Sequence, residues 1–324
     1  MDEAKIIEIV ETVIREILAA SSVSELHPAE SGIPFKEPVS GDSPPATQVA
    51  PQPLTDQPDR SDKSVNIDLP DPTLDDLRYK PEVKNPQDPA ALIELIASTS
   101  ARIGVGRAGP RYTTAALLRF QGDHAITQDA LYREIDQKLL DEFNLFSVQT
   151  KITAGKEQFL LRPDLGRQLN DEAKKLIAEK CVKNPNIQLV IGDGLSTAAI
   201  EANLRQILPV LQQGIQNAGL SFGTPFYVKY CRVGVMNDIG EAIHPDVVIL
   251  LIGERPGLGR AESMSAYMGY KPKSGDNDAD RDVVCNIFEN GGINPLEAGA
   301  FIVQVAQKMR QHQASGVKLK LATK

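Results

Sequence analysis

The sharpest chemical signal in the chain is Gly253-Glu254-Arg255-Pro256-Gly257-Leu258-Gly259. It closes an apolar run, Val247 to Ile252. Glycines there permit a ligand to approach the backbone closely, and the Glu254 carboxylate could accept hydrogen bonds from that ligand. A structural turn with a Glu–Arg pair accounts for the same residues. A second turn, Gly192-Asp193-Gly194-Leu195-Ser196-Thr197, could hold a ligand at a helix N-terminus. Ordinary turn chemistry with Ser196 as helix cap explains it equally well.

Arg102, Arg107 and Arg111 bring three guanidiniums into ten residues. They could clamp an anion or a partner carboxylate, or form intrachain ion pairs. Between them, Gly104-Val105-Gly106-Arg107-Ala108-Gly109 matches G-x-G-x-x-G. A dinucleotide site needs a strand before that motif and a helix directly after it. Here a helical pattern precedes it and Pro110 follows, so the glycines read as a tight loop. Asp123-His124 suggests a carboxylate-oriented imidazole, but no nucleophile is readable nearby. The three cysteines (Cys181, Cys231, Cys285) form no C-x-x-C, and the four histidines are isolated. Buried thiols are expected, with neither a disulfide framework nor a protein-built metal site.

The elements that must position these turns divide the chain of 324 residues unevenly. Of 22 prolines, 13 lie between Ser21 and Ala90. Residues 1–20 read as an amphipathic helix whose stripe is Ile6, Val10, Val13 and Ile17. So short a helix is marginal alone, so its stripe calls for a partner or for its own subunit. Residues 21–87 read as a disordered Pro-rich linker, too poor in apolar groups to offset ordering entropy.

Residues 88–184 read as mainly helical, over Pro89–Ser100, Thr113–Phe120, Thr127–Phe143 and Asp164–Lys183. Strand-like pieces are expected at Leu145–Thr150 and Gln158–Leu161. Residues 185–324 alternate strands (Ile187–Ile191, Phe226–Tyr230, Val247–Ile252, Met264–Tyr270) with helices, ending in a strong helix over Pro295–His312. The fold class is therefore α/β: a C-terminal, doubly wound, Rossmann-like, mostly parallel sheet, a mainly helical domain before it, and a disordered N-terminal tether. In such sheets ligands sit beyond the carboxyl ends of the strands, next to both glycine-rich turns.

The net charge of −8 and the lack of a basic run argue against nucleic acid as partner. No apolar stretch reaches membrane-spanning length, and the start, Met1-Asp2-Glu3, lacks a secretory pattern.

Several stretches in fixed order carry a family resemblance. They are RIGVGRAGPRYTTAALLRFQGDHA (Arg102–Ala125), LLRPDLGRQL (Leu160–Leu169), GDGLSTAAI (Gly192–Ile200), FGTPFYVKYCRVG (Phe222–Gly234), VVILLIGERPGLG (Val247–Gly259), ADRDVVCNIFENGG (Ala279–Gly292) and QASG (Gln313–Gly316). Together the region Ala101–Lys318 resembles the small (light) subunit of ethanolamine ammonia-lyase. The resemblance implies a lyase complex, inactive without a large TIM-barrel subunit that holds ethanolamine, with adenosylcobalamin between the subunits. Cleavage of the cofactor's Co–C bond starts a radical reaction that yields acetaldehyde and ammonia. It implies cofactor contacts at Val233, Glu254 and Val283, and no catalytic residue in this subunit. At Val283 a relative carries Cys, whereas this chain has its Cys two residues on, at Cys285, so either position could serve.

No D-x-H-x-x-G motif is present, so the cofactor is expected to bind base-on, with its dimethylbenzimidazole on cobalt. The resemblance also implies that residues 3–20 address the enzyme to a shell protein of a bacterial microcompartment in the cytoplasm. The alternative is a mainly structural and targeting subunit with minor cofactor contact.

Overall fold

The computed structural model describes residues 79–99, 101–253, 261–289 and 291–323. The expected helix at 1–20, most of the linker at 21–87, and Glu254 lie outside the described residues.

Helix α1 (Pro89–Ala97) starts where Asp88 accepts the N–H groups of Ala90 and Ala91, both at 3.0 Å, with Pro89 in the first turn. The G-x-G-x-x-G segment leads into a two-stranded hairpin, β1 (Arg107–Ala108) and β2 (Arg111–Tyr112), rather than into a helix. Helix α2 (Thr114–Tyr132) follows, capped by Thr113. It runs unbroken through Gln121–Ile126, where two separate helices were expected. One internal glycine costs a helix only about 1 kcal/mol. The buried Asp123, paired with Arg102 and Arg119, fixes the middle of this helix against its surroundings. The break comes later, at Arg133–Asp136, and Asp136 caps α3 (Gln137–Glu142).

Strand β3 (Phe146–Gln149) matches its expectation. The strand expected at Gln158–Leu161 is instead part of helix α4 (Gly155–Leu161). Gln158 Oε1 accepts the N–H groups of Thr153 and Ala154 at 2.8 and 2.9 Å, closing the helix start from within its own first turns. Phe159 then points wholly into the core. The single helix expected over Asp164–Lys183 is a short 3-10 turn (Leu165–Arg167) followed by α5 (Asp171–Lys180), which Asn170 caps.

The remaining elements are β4 (Ile187–Gly192), α6 (Thr197–Asn217), β5 (Phe226–Lys229), α7 (Val235–Ile243), β6 (Val247–Gly253), β7 (Met264–Tyr270), β8 (Asp282–Ile287), α8 (Pro295–His312) and α9 (Gly316–Ala322). Six strands form one sheet in the order β3-β5-β4-β6-β7-β8. The first four are parallel, and β7 and β8 continue antiparallel. The sheet thus joins β3, before residue 185, with strands after it. Strand β8 escaped the sequence reading because its polar residues and exposed edge hide any period; Asn286, at φ 60°, also interrupts it.

Strands β4 and β6 are buried along their whole length. Alternate residues serve opposite faces, as a pleated strand requires. Ile187, Leu189 and Ile191 join Val247, Ile249 and Leu251 under α6 and α8. Val190, Val248, Leu250 and Ile252 pack on the other face with α5 and α7. Each such side chain contributes roughly 1.5–3 kcal/mol when buried. Because four strands are parallel, Gln149, Gly192, Lys229 and Gly253 end along one edge of the sheet.

Candidate functional site

At that edge the loops after β4 and β5 and the end of β6 are tied to one another. Gly194 has φ +56°, and an added Cβ there would overlap the carbonyl oxygen of Gly253. A Cβ on Gly253 would in turn overlap the carbonyl of Ser196. The N–H of Leu195 donates to that Gly253 carbonyl at 2.9 Å. Gly194 and Gly253, one from each sequence-predicted turn, therefore serve first to bring the loop after β4 against the end of β6. Ser196 stands at the N-cap of α6, but its hydroxyl donates to the carbonyl of Ala261 at 2.5 Å rather than capping the helix.

Asp193 ties in the loop after β5. Its buried carboxylate accepts the N–H of Tyr230 on Oδ2 and of Cys231 on Oδ1, each at 2.8 Å. Tyr230 is held at φ 57°, a left-handed conformation that these bonds help maintain. Burial pushes the Asp193 carboxyl above its ordinary range, opposed by the nearby Lys156 ammonium and the donated N–H groups. Arg232 lies over the Phe159 ring at 4.2 Å, and its guanidinium donates to the Phe159 carbonyl at 3.2 Å. Burial, then the neighbouring Arg167, lowers its pKa.

Val233, the next residue, is half-buried and lines a hollow of about 410 Å³ with Cys231, Arg232, Gly194, Ile252, Gly253 and Tyr267. Glu254 follows Gly253 in the chain but lies outside the described residues. Val283 sits on β8, 48% exposed, paired in register with Tyr267 of β7. The structure thus brings Val233 and Gly253 to one hollow. It sets Val283 one strand beyond the tyrosine that lines it. Cys285 is exposed on the same strand. Cys181 and Cys231 are buried, and burial raises both thiols, Cys181 to about 11.

Tyr267 was not singled out in the sequence. It sits inside an apolar strand, and only the register with β8 reveals its place. Asp193 was legible as a turn residue but not as the clamp on β5.

The arginine cluster resolves into intrachain contacts. Arg102 pairs with Asp123 and lies over Phe120 at 5.4 Å. Arg107 lies over Tyr112 at 4.6 Å and donates to the Pro110 carbonyl at 3.2 Å. Arg111 is exposed on β2. His124 packs edge-on against Phe120 at 4.8 Å, while its neighbour Asp123 meets Arg102 and Arg119. Among the described residues no group of His, Cys, Asp and Glu is arranged to hold a metal ion. No described helix is long and apolar enough to cross a membrane.

The family model for the ethanolamine ammonia-lyase light chain matches residues 89–320. That span takes in every strand of the main sheet and the whole tied edge. The chain belongs to the ethanolamine ammonia-lyase light-chain family. It is 47% identical over 252 residues to the ethanolamine ammonia-lyase small subunit of Clostridium perfringens, covering 78% of this chain and 85% of that protein. To the small subunit of Listeria monocytogenes it is 45% identical over 252 residues, with the same coverage of 78% and 85%. The small subunit of Clostridioides difficile is 44% identical over 255 residues, covering 79% of this chain and 86% of that protein. The family resemblance read from the motifs is therefore correct. Membership in the light-chain family places this chain in a lyase complex.

Proposed function

We propose that this chain pairs with a large ethanolamine ammonia-lyase subunit and helps to hold adenosylcobalamin at their interface. The observation that carries the reading is the hollow beyond β4, β5 and β6, where Val233 and Gly253 meet beside Tyr267. The fit is chemical. Val233, Ile252 and Tyr267 offer an apolar wall for the rim of a corrin. Gly253 carries no side chain to block its approach, and Glu254 follows directly in the chain. A carboxylate there would accept hydrogen bonds from the corrin's amide groups. Val283 extends the apolar wall across Tyr267. When bound, adenosylcobalamin supplies the radical chemistry that converts ethanolamine to acetaldehyde and ammonia. The residues of this chain position and shield it, and none of them is assigned a catalytic role. The chain carries no D-x-H-x-x-G motif whose histidine would replace the cofactor's own base.

Residues 3–20 are proposed to address the complex to a microcompartment shell protein. The support is their amphipathic spacing and their position ahead of residue 89, where the family match begins.

The test mixes the full chain with the large subunit and adenosylcobalamin. Corrin absorbance should survive gel filtration, and ethanolamine should release acetaldehyde. Val233→Arg and Glu254→Ala should each weaken cofactor retention. If both leave it unchanged while the complex still assembles, the assigned contacts are wrong. Deleting residues 1–20 should leave turnover intact and abolish shell association. Loss of turnover with unfolding would overturn the addressing role.

A further inference from the structure

A larger cavity, about 850 Å³, opens on the other side of the Asp193 clamp, beyond the ends of β3, β4 and β5. Three cations line it: Arg133, Lys156 and Lys229. Two of them are paired with carboxylates. Lys229 meets Glu134 at 2.9 Å, and Arg133 meets Glu201 at 2.5 Å. Lys156 differs. Its Nζ donates to a neutral acceptor, the Gly194 carbonyl, at 3.2 Å, and lies 5.0 Å from the centre of the Phe159 ring. The nearby Asp193 carboxylate is committed to the backbone of Tyr230 and Cys231.

We infer that Lys156 is a reversible imine-forming site for a small aldehyde held in this cavity. In its neutral form the Nζ lone pair attacks the carbonyl carbon. A C–N bond forms as the C=O π bond opens, and one proton moves from nitrogen to oxygen, giving a carbinolamine. The C–O bond then breaks, the oxygen leaves as water with the second nitrogen proton, and a C=N bond remains; addition of water reverses the sequence. The step needs no oxidant or reductant. Burial lowers the Lys156 pKa, helped by the positive Arg232 and Lys229, while Asp193 and Glu134 act in the opposite sense. Desolvation and neighbouring cations are the established means of raising the free-amine fraction of a lysine. Ethanolamine deamination, the reading above, is what would supply the aldehyde. The chemistry of Lys156 itself does not depend on it.

The experiment treats the full chain at neutral pH with acetaldehyde and cyanoborohydride, which reduces any imine to a stable N-ethyl amine, and maps the label by peptide mass spectrometry. Lys156 should label ahead of the exposed Lys138, Lys175 and Lys308. Lys156→Arg, with an unchanged circular dichroism spectrum, should lose the fastest equivalent of label. Labelling of Lys156 no faster than those surface lysines, or a fast equivalent that survives in Lys156→Arg, would overturn the assignment. The aldehyde is added from outside. A failed trapping result therefore speaks against Lys156 alone, and a failed turnover assay against the ethanolamine reading alone.

Discussion

Asp193 accepts the N–H of Cys231 at 2.8 Å, and through that bond the end of β4 sets the course of the chain after β5. The companion bond from the Tyr230 N–H uses the other carboxylate oxygen. Val233 enters its hollow two residues further on. Asp193→Ala strands two buried donors, each costing roughly 1–3 kcal/mol. Urea unfolding should show a loss of about 2–6 kcal/mol, and cofactor retention by the assembled complex should fall with it. An unchanged urea midpoint would show that water replaces the carboxylate and that the clamp is dispensable.

Gly194 and Gly253 should tolerate no side chain. Gly194→Ala places a Cβ on the Gly253 carbonyl and must also keep a left-handed φ; Gly253→Ala meets the Ser196 carbonyl. Overpacking of this kind costs about 1–3 kcal/mol, with roughly 1–2 kcal/mol more for the left-handed residue. Denaturation midpoints should rank wild type above Gly253→Ala, and Gly253→Ala above Gly194→Ala. The reverse order of the two variants would mean that the β6 end is the stiffer partner.

Lys156 gives stability a distinctive pH dependence. Its folded pKa lies below its ordinary value because burial disfavours the ammonium. Between the folded and unfolded pKa values the unfolded chain binds more protons, so stability rises with pH there. The penalty is whole below the folded pKa and gone above the unfolded value of about 10.4. Lys156→Met removes it at every pH. The advantage of Lys156→Met over wild type should therefore shrink as pH rises from neutrality. A constant difference between the two urea midpoints would contradict a lowered pKa.

Asp123 has a fully buried side chain facing Arg102 and Arg119. Removing one partner of a buried pair costs about 3–5 kcal/mol, because the remaining charge stays buried. Asp123→Ala should loosen α2 and the hairpin before it. Hydrogen exchange across Arg102–Tyr132 should accelerate while β4 and β6 keep their protection. Uniform acceleration over the whole sheet would show that these elements unfold together.

Val283 and Cys285 share one strand, and both are exposed. If Val283 extends the apolar wall, Val283→Asp weakens cofactor retention and Cys285→Ser does not. The opposite pattern, read by corrin absorbance after gel filtration, would assign the contact to the Cys285 thiol.

The chain's linear order was enough to determine what depends on local pattern. Continuous apolar runs marked β4 and β6 as strands buried on both faces. The helix over Pro295–His312 was found at its observed ends, since its apolar period, its Pro and its Asn cap all lie within a few residues. The ordered motifs carry the family, and the glycine-rich turn after β4 lies where the sequence places it. Other features came from contacts between distant segments. α4 replaced a strand because the Gln158 side chain bonds back to Thr153 and Ala154. α2 stayed whole because Arg102 reaches Asp123, twenty-one residues along. The antiparallel turn of β7 and β8, the position of Tyr267 beside Val233, and the desolvation of Lys156 likewise arise from packing. Periodicity reports which face of an element is apolar, but not which element will cover it. That choice rests on burial and hydrogen bonds summed over the whole molecule, so only the tertiary structure decides it.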